Sequence, residues 1–416
     1  MDNAAKAPIL QTMNYDSDIA IVGGGLNGTA MALALVRSGL SVTLIDAASL
    51  PTRAAPDFDG RSYALALTSK RMLAALGLWD GLSENAQPMN QIKVTDGRIN
   101  DGHAFLGLHF DAAELEEGPM GYMVEDRHLR HALLDAVEAE PNITHMSAAR
   151  VVAQEVTTTA ATLTLEDGKT VTARVIIGAD GRQSGTAERA GISRTGWSYD
   201  QTALVCAIAH EKPHQGIAHQ FFMPSGPLAI LPLKGNRSSI VWSEKSDLAQ
   251  QINGLSDEKY LQILRPRFGD FLGEISLAGA RFTYPLNLTL ANSVISDRLV
   301  LVGDAAHGMH PIAGQGLNAG LKDIAVLAQV MDEAKRRGED IASPLVLERY
   351  AEWRSFDVAT LAAATDVFNR LFSNDSSLLR LGRDLGMKAV NAMPNLRRGF
   401  MREAAGLTGE LPALMR

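Results

Sequence analysis

The stretch Asp18–Asp46, DIAIVGGGLNGTAMALALVRSGLSVTLID, is the part of the chain from which the fold is read. Asp18 to Val22 reads as a short buried strand, Leu26 to Ser38 as a helix rich in alanine and leucine, and Ser41 to Ile45 as a second strand, the opening of a βαβ unit. Between strand and helix stands Gly23-Gly24-Gly25-Leu26-Asn27-Gly28, a G-x-G-x-x-G in the context that gives the pattern meaning. Gly23 suits a tight turn, Gly25 lets a pyrophosphate approach the backbone, and Gly28 allows close helix packing. The helix N-terminus adds oriented N–H groups and positive potential. Asp46 ends the second strand, 21 residues after Gly25, where a carboxylate accepts hydrogen bonds from an adenosine ribose and disfavours a 2′-phosphate, so that NADP is not the tightly held nucleotide. The alternative is a glycine-rich turn followed by a surface aspartate.

Working outward, 416 residues exceed one ordinary core and point to two or three subdomains. The apolar share of 46% and charged share of 21% are those of a globular protein. A net charge of −8 excludes a clustered positive surface as the chain's main feature, and with it a nucleic-acid partner. The single cysteine, Cys206, forbids an intrachain disulfide and cysteine-based metal clusters, and fits a reducing cytosol. Met1 to Asp16 lacks the pattern of a secretory signal, and no run of about 18 apolar residues occurs. The expected location is cytoplasmic, with a peripheral position on the inner face of a membrane as an extension.

Further along, Asp126 to Glu140 places Leu129, Leu133, Leu134 and Val137 on one helical face, with Asp126 as N-cap. Ala149 to Ile177 reads as short alternating strands with an Asp167-Gly168 turn, and Tyr199 to Ser243 as a separate antiparallel sheet. Arg298 to Val302 is a buried strand, Gly316 to Arg336 a helix, and Pro344 to Phe372 a long helix. The expectation is α/β at the ends of the chain, an inserted sheet in the middle, and a helical tail.

Two more segments repeat the strand-then-glycine order. Leu299–Asn318, LVLVGDAAHGMHPIAGQGLN, offers Asp304 for a ribityl hydroxyl, and the loop Pro311 to Gly316 and the following helix offer N–H groups to the N1 and O2 edge of a flavin. FAD is long enough to bridge this loop and the first βαβ unit. Ile176–Ser184, IIGADGRQS, ends a strand in Asp180-Gly181 and could alone be a turn.

In this order the three motifs resemble class A flavoprotein monooxygenases of the para-hydroxybenzoate hydroxylase type. More narrowly, the chain resembles the ubiquinone-biosynthesis hydroxylase family in Asp59–Leu65, Gly226–Leu233, Trp242-Ser243, Gly303–Asp323 and Leu347-x-x-Tyr350-x-x-x-Arg354. The resemblance implies a Rossmann-like FAD-binding domain (1–80, 112–185 and 285–340), an inserted antiparallel-sheet substrate domain (81–111 and 186–284), and a C-terminal helical region (341–416). It implies cofactor contacts from Gly23, Gly25, Gly28, Asp46, Arg61, Arg127, Asp180, Asp304, Pro311, Gly314, Gln315, Gly316 and Asn318. Two departures stand out. After Ser184 the family's arginine is replaced by Ala187, with Arg189 two places on, which leaves nicotinamide contacts there unassigned; and Ala319 stands where leucine is common.

The activity implied is NAD(P)H- and O2-dependent hydroxylation of the ring of a polyprenylphenol in ubiquinone biosynthesis, through a flavin C4a-hydroperoxide. The alternative is a hydroxylase of a small soluble phenol. A halogenase or isoprenoid reductase would need a W-x-W that Trp79, Trp197, Trp242 and Trp353 do not form, and a non-enzymatic scaffold predicts no oxygen uptake. No side chain is assigned as catalytic base. His307 and His310 read first as loop-packing histidines, and no metal is expected at either HxxH. Phe222, Leu231 and Trp242 are candidates for a greasy substrate pocket or for plain core. Residues 377–402 carry six basic groups against Asp384, interleaved with apolar residues; this suits anionic lipid or a quinone-pathway enzyme complex, or a helix packed on the body with a solvated basic face.

Overall fold

The computed structural model describes residues 15–55, 60–96, 107–267, 269–309, 314–372, 390 and 392–416. At its centre lie five parallel strands in the spatial order Leu299–Leu301, Thr170–Gly178, Ser17–Val22, Val42–Ile45 and Ile143–Met146. The inner runs, Leu299–Leu301, Ser17–Val22 and Val42–Ile45, are mostly apolar and buried, as parallel strands covered on two sides must be, while Ile143–Met146 at the edge is partly exposed. Helix α1 (Leu26–Val36) stops two residues before the expected Ser38, and α2 (Asp126–Ala139) buries the four predicted apolar positions. Glu125, not Asp126, occupies the N-cap of α2; Asp126 sits in the first turn, where its carboxylate takes Arg130 from the next turn at 2.9 Å.

The inserted sheet is antiparallel except where Gln91–Asp96 joins Ile217–Met223, and its central strands are Arg194–His210, Phe282–Ala291, Arg237–Lys245 and Gly226–Leu233. Strand Phe282–Ala291 runs through residue 284, so the expected boundary between substrate and FAD-binding domains falls inside one strand. One face of this sheet is covered by α3 (Ser246–Asn253) and α4 (Asp257–Leu264). The other meets Met89, Met123 and Ala64 of the small sheet that joins the two halves.

Period-two alternation decides which residues reach which face. Trp242 is wholly buried on the helix side with Leu228 and Ile230, under α3 and α4, with the Arg267 guanidinium 4.2 Å from its ring centroid. The expectation that Trp242 lines a substrate pocket is therefore corrected: it is core of the outer layer. Leu231 lies on the opposite face, and Phe222 packs on Val94 and Leu108.

Two helices close the half built on the parallel strands. Helix α5 (Gln315–Arg336) lies against α1, and α6 spans the predicted Pro344–Phe372. The last helix, α7 (Pro394–Ala404), buries Met401 against Leu67, Phe110 and Leu115. Two of its three arginines face acids of the protein itself: Arg397 reaches Glu114 at 2.8 Å and Arg402 reaches Glu117 at 3.1 Å. The basic surface expected over 377–402 is thus partly neutralised in the part described, while residues 377–389 and 391 lie outside the described residues. The solvent side of α7 mixes apolar Leu396 and Phe400, with Met393 just before the helix, and polar Asn395, Arg398 and Glu403.

Candidate functional site

One row of backbone register brings the three motifs together. Ile45, Val22, Gly178 and Leu301 are cross-strand neighbours at the carboxyl ends of four adjacent parallel strands. The next residues, Asp46, Gly23, Ala179 and Val302, therefore emerge side by side, 279 positions apart in sequence at the extremes and adjacent in space. The carboxyl edge of a parallel sheet is where such folds bind ligands, because helix N-termini and loops converge there.

The glycine loop shows which glycines the fold needs and which it leaves open. Gly23 has φ +101°, and a Cβ there would strike Ala179 and Asp180; a Cβ at Gly28 would overlap the Gly23 carbonyl oxygen. Gly25, by contrast, has extended backbone at the N-cap of α1, and a Cβ there would meet nothing within 4 Å. Open space in front of N–H groups at a helix start is a cradle for a phosphate. Asp46 accepts from the Ala48 N–H at 2.9 Å and pairs with Arg53, which is itself buried. Burial lowers the Arg53 pKa, with Asp46 opposing the shift. Arg53 was not found from sequence, since it ends a four-residue helix, Leu50–Arg53, that carries no motif of its own.

The second loop is held by a buried network. Asp323, on α5, accepts from the Gly303 N–H at 2.9 Å, His307 Nε2 at 2.6 Å and Arg354 Nε at 2.7 Å, and all three side chains are almost fully buried. Tyr350 donates to the Leu301 carbonyl at 3.0 Å. The Tyr350-x-x-x-Arg354 spacing is thereby explained: two residues four apart share one face of α6 and clamp the strand and loop that lead to Asp304. Gly314 has φ +64° and abuts Ala64, and a Cβ at Gly316 would meet nothing within 4 Å. Asn318 is fully used within the protein, accepting from Ala66 N–H and Ser69 Oγ and donating to the Ala64 and Gly314 carbonyls. Gln315 opens α5. Pro311 and His310 lie outside the described residues. Between the two loops, Asn27 fits against Gly303 and Gly320, and its Oδ1 is buried with no acceptor role filled among the described residues.

A glycine cradle at one helix start, a second open helix start, a carboxylate near each and an orphaned buried acceptor between them fit an extended dinucleotide. Comparison with known proteins agrees. Residues 16–364 match the FAD binding domain family. The chain belongs to this family of flavoprotein monooxygenases. The flavoprotein is 45% identical over 99% of its length, and 96% of the relative's, to a ubiquinone hydroxylase of Rhodospirillum rubrum. It is 34% identical, over 95% of its length and 100% of the relative's, to the 3-demethoxyubiquinol 3-hydroxylase of Escherichia coli. Its fold matches the crystal structure of p-nitrophenol 4-monooxygenase from Pseudomonas putida with a TM-score of 0.79 at 20% identity, covering 96% of this chain and 100% of that one.

The remaining predicted residues of the flavoprotein lie around this centre in different states. Asp180 spends both carboxylate oxygens on Ser184 and on Thr186, whose N–H and hydroxyl donate at 2.9 Å, so its evident work is to order the start of the helix at 185–189. Arg61 reaches Asp126 at 3.3 Å and Arg127 reaches Glu125 at 2.8 Å, which places these two arginines on neighbouring carboxylates. Glu125 also receives Arg237 at 2.7 Å, from the inserted sheet, and so ties the two halves together. Burial, with the Asp126 carboxylate, pushes the Tyr63 hydroxyl well up. Of the histidines, His307 is the packing residue expected, and His131 contacts the Ala54 carbonyl at 2.8 Å. Among the described residues no three His, Cys, Asp or Glu side chains come together as a metal site, and no helix is long and apolar enough to cross a membrane.

Proposed function

We propose that this flavoprotein hydroxylates the aromatic ring of a polyprenylphenol intermediate of ubiquinone biosynthesis, using O2 and electrons from NAD(P)H. The observation that carries this reading is the full-length 45% identity to a ubiquinone hydroxylase, joined to the single register row that gathers all three cofactor motifs. Bound FAD supplies the redox chemistry that activates dioxygen. The protein supplies position. Gly23, Gly25, Gly28 and the start of α1 receive the pyrophosphate, and Asp46, steadied by Arg53, takes the ribose. Arg61 and Arg127 stand near the chain that links pyrophosphate to flavin. Asp304 and the helix start at Gly314, Gln315 and Gly316 take the flavin end, with Asn318 bracing that turn from behind. Leu231 and Phe222, on the inner face of the sheet, give the substrate apolar walls that exclude water.

The test is direct. Holoenzyme supplied with NADPH, 18O2 and a short-chain polyprenylphenol lacking one ring oxygen is expected to yield a product heavier by one labelled oxygen in mass spectrometry. Labelled product from hydroxybenzoate and none from the prenylated phenol would move the assignment to the soluble-phenol alternative.

We further propose a peripheral position on the bilayer, where such a substrate dissolves, through the exposed face of α7. Arg397 and Arg402 pair with Glu114 and Glu117, so contact through this helix would combine the exposed Leu396 and Phe400 with the exposed Arg398. Changing Leu396 and Phe400 together to aspartate is expected to reduce flotation with lipid vesicles roughly tenfold, with activity on a short-chain phenol retained. Undiminished flotation removes α7 from the contact.

A further inference from the structure

Arg182 follows Asp180-Gly181 and belongs to none of the motif positions assigned above. Its Nε donates to Asp304 Oδ2 at 3.1 Å, its Nη2 to the Met309 carbonyl at 3.1 Å, and its Nη1 to Asn287 Oδ1 at 3.4 Å. One guanidinium thus joins the loop after strand Thr170–Gly178, the loop that carries Asp304, and strand Phe282–Ala291 of the inserted sheet. A planar fork with five donors can serve three acceptors in fixed directions, which an ammonium cannot. The stem of the side chain lies against Gly308, where a Cβ would meet Arg182 Cγ at 3.2 Å. The Arg182 carbonyl in turn accepts from Arg194, whose other Nη donates to the Ala305 carbonyl at 2.6 Å. The segment around Asp304 is gripped from both sides.

The neighbouring charges leave this task to Arg182. Asp323, His307 and Arg354 are engaged with one another, and Asp180 with Ser184 and Thr186. Among the described residues, no ion pair of Asp304 other than that with Arg182 is seen.

We propose that Arg182 is a positioning residue for the flavin end of the cofactor: it fixes the Asp304 carboxylate through one oxygen and leaves the other for a ligand hydroxyl. This rests on the reading of Asp304 as a flavin-end residue, and the experiment separates the two.

Apoprotein is titrated with FAD by quenching of flavin fluorescence for wild type, Arg182→Met, Arg182→Lys, Asp304→Asn and the double variant Arg182→Met/Asp304→Asn. Each of Arg182→Met and Asp304→Asn is expected to raise the Kd by roughly 10- to 100-fold, the loss of a charged hydrogen bond. The double variant should be no weaker than Asp304→Asn within about threefold, because Arg182 acts through Asp304. Arg182→Lys should restore part of the affinity, and the visible circular dichroism of the bound flavin should shift in Arg182→Met and return towards wild type with lysine. Unchanged affinity in Arg182→Met, or effects that multiply in the double variant, would overturn the proposal. So would a raised KM for NAD(P)H in FAD-saturated Arg182→Lys with FAD affinity intact. If Arg182→Met yields no soluble protein, Arg182→Gln takes its place and is read in the same way. Tight FAD binding in Asp304→Asn removes the flavin-end reading itself; weak binding there with normal binding in the Arg182 variants removes only the positioning role.

Discussion

Replacing Asp323 by alanine is expected to lower the midpoint of thermal unfolding by roughly 3–4 °C and to release FAD during gel filtration. The carboxylate is buried to within 1% of full enclosure and is shared by a backbone N–H, a histidine and an arginine. Removing one member of such a cluster strands the others away from water, at a cost of about 3–5 kcal/mol. Arg354 keeps Asp357 at 2.8 Å, which puts the loss near the lower end. The same change frees the Gly303 N–H, next to Asp304, so stability and cofactor retention should fall together. Differential scanning fluorimetry with and without FAD reads the first, and the flavin-to-protein absorbance ratio the second; a wild-type midpoint with full flavin content would sink the account of this network.

The effect has a defined pH dependence. Burial by itself would raise the Asp323 carboxyl, but the charges of His307 and Arg354 and their hydrogen bonds outweigh it and hold the group below the usual carboxylate range. A pKa depressed in the folded state contributes stability that is complete above about pH 4, the unfolded value, and is lost as pH falls through the lower, folded one. The gap in melting temperature between wild type and Asp323→Ala should therefore be full at pH 7 and narrow in acid.

The second large effect separates cofactor binding from folding within one loop. Gly25→Val is expected to leave an apoprotein of wild-type stability whose FAD affinity is lower by at least about a hundredfold, because a Cβ there meets nothing within 4 Å and would enter the space proposed for the pyrophosphate. Its backbone, φ −64° and ψ −174°, is open to any residue. Gly28→Val should fail differently, as insoluble or unfolded protein, since its Cβ would overlap the Gly23 carbonyl and force α1 off the sheet. Circular dichroism of the apoproteins and FAD titration distinguish the two. A Gly25→Val protein that binds FAD normally would remove the pyrophosphate from this cradle, and a soluble, folded Gly28→Val protein would show that α1 can shift at little cost.

Much of the architecture was legible in the chain because its elements obey short-range rules. The strand and helix limits around Gly23 and the whole span of α6 were read to within two residues. Asp167-Gly168 announced the tight turn that joins Ala161–Leu165 to Thr170–Gly178 in the sheet of the parallel strands, and the alternating strands over 199–243 announced the antiparallel insert. Trp242 was misplaced because alternation in a strand names two faces without saying which one meets the cofactor, and here α3 and α4 took its side. A related limit applies to α7: charge counted along a helix does not show that Arg397 and Arg402 face Glu114 and Glu117 on other elements.

By itself the sequence determined the family, the βαβ opening and the residues of the three glycine-rich motifs, because each of these depends on neighbours a few positions away. Only the tertiary structure decided that Ile45, Val22, Gly178 and Leu301 form one row and so carry their motifs to one edge. It alone showed that Tyr350, Arg354 and Asp323 lock the second loop and that Arg182 and Arg53 each hold an aspartate of the site. The physical reason is reach: a hydrogen bond acts over about 3 Å, and residues hundreds of positions apart enter that range only once the parallel sheet has set their register.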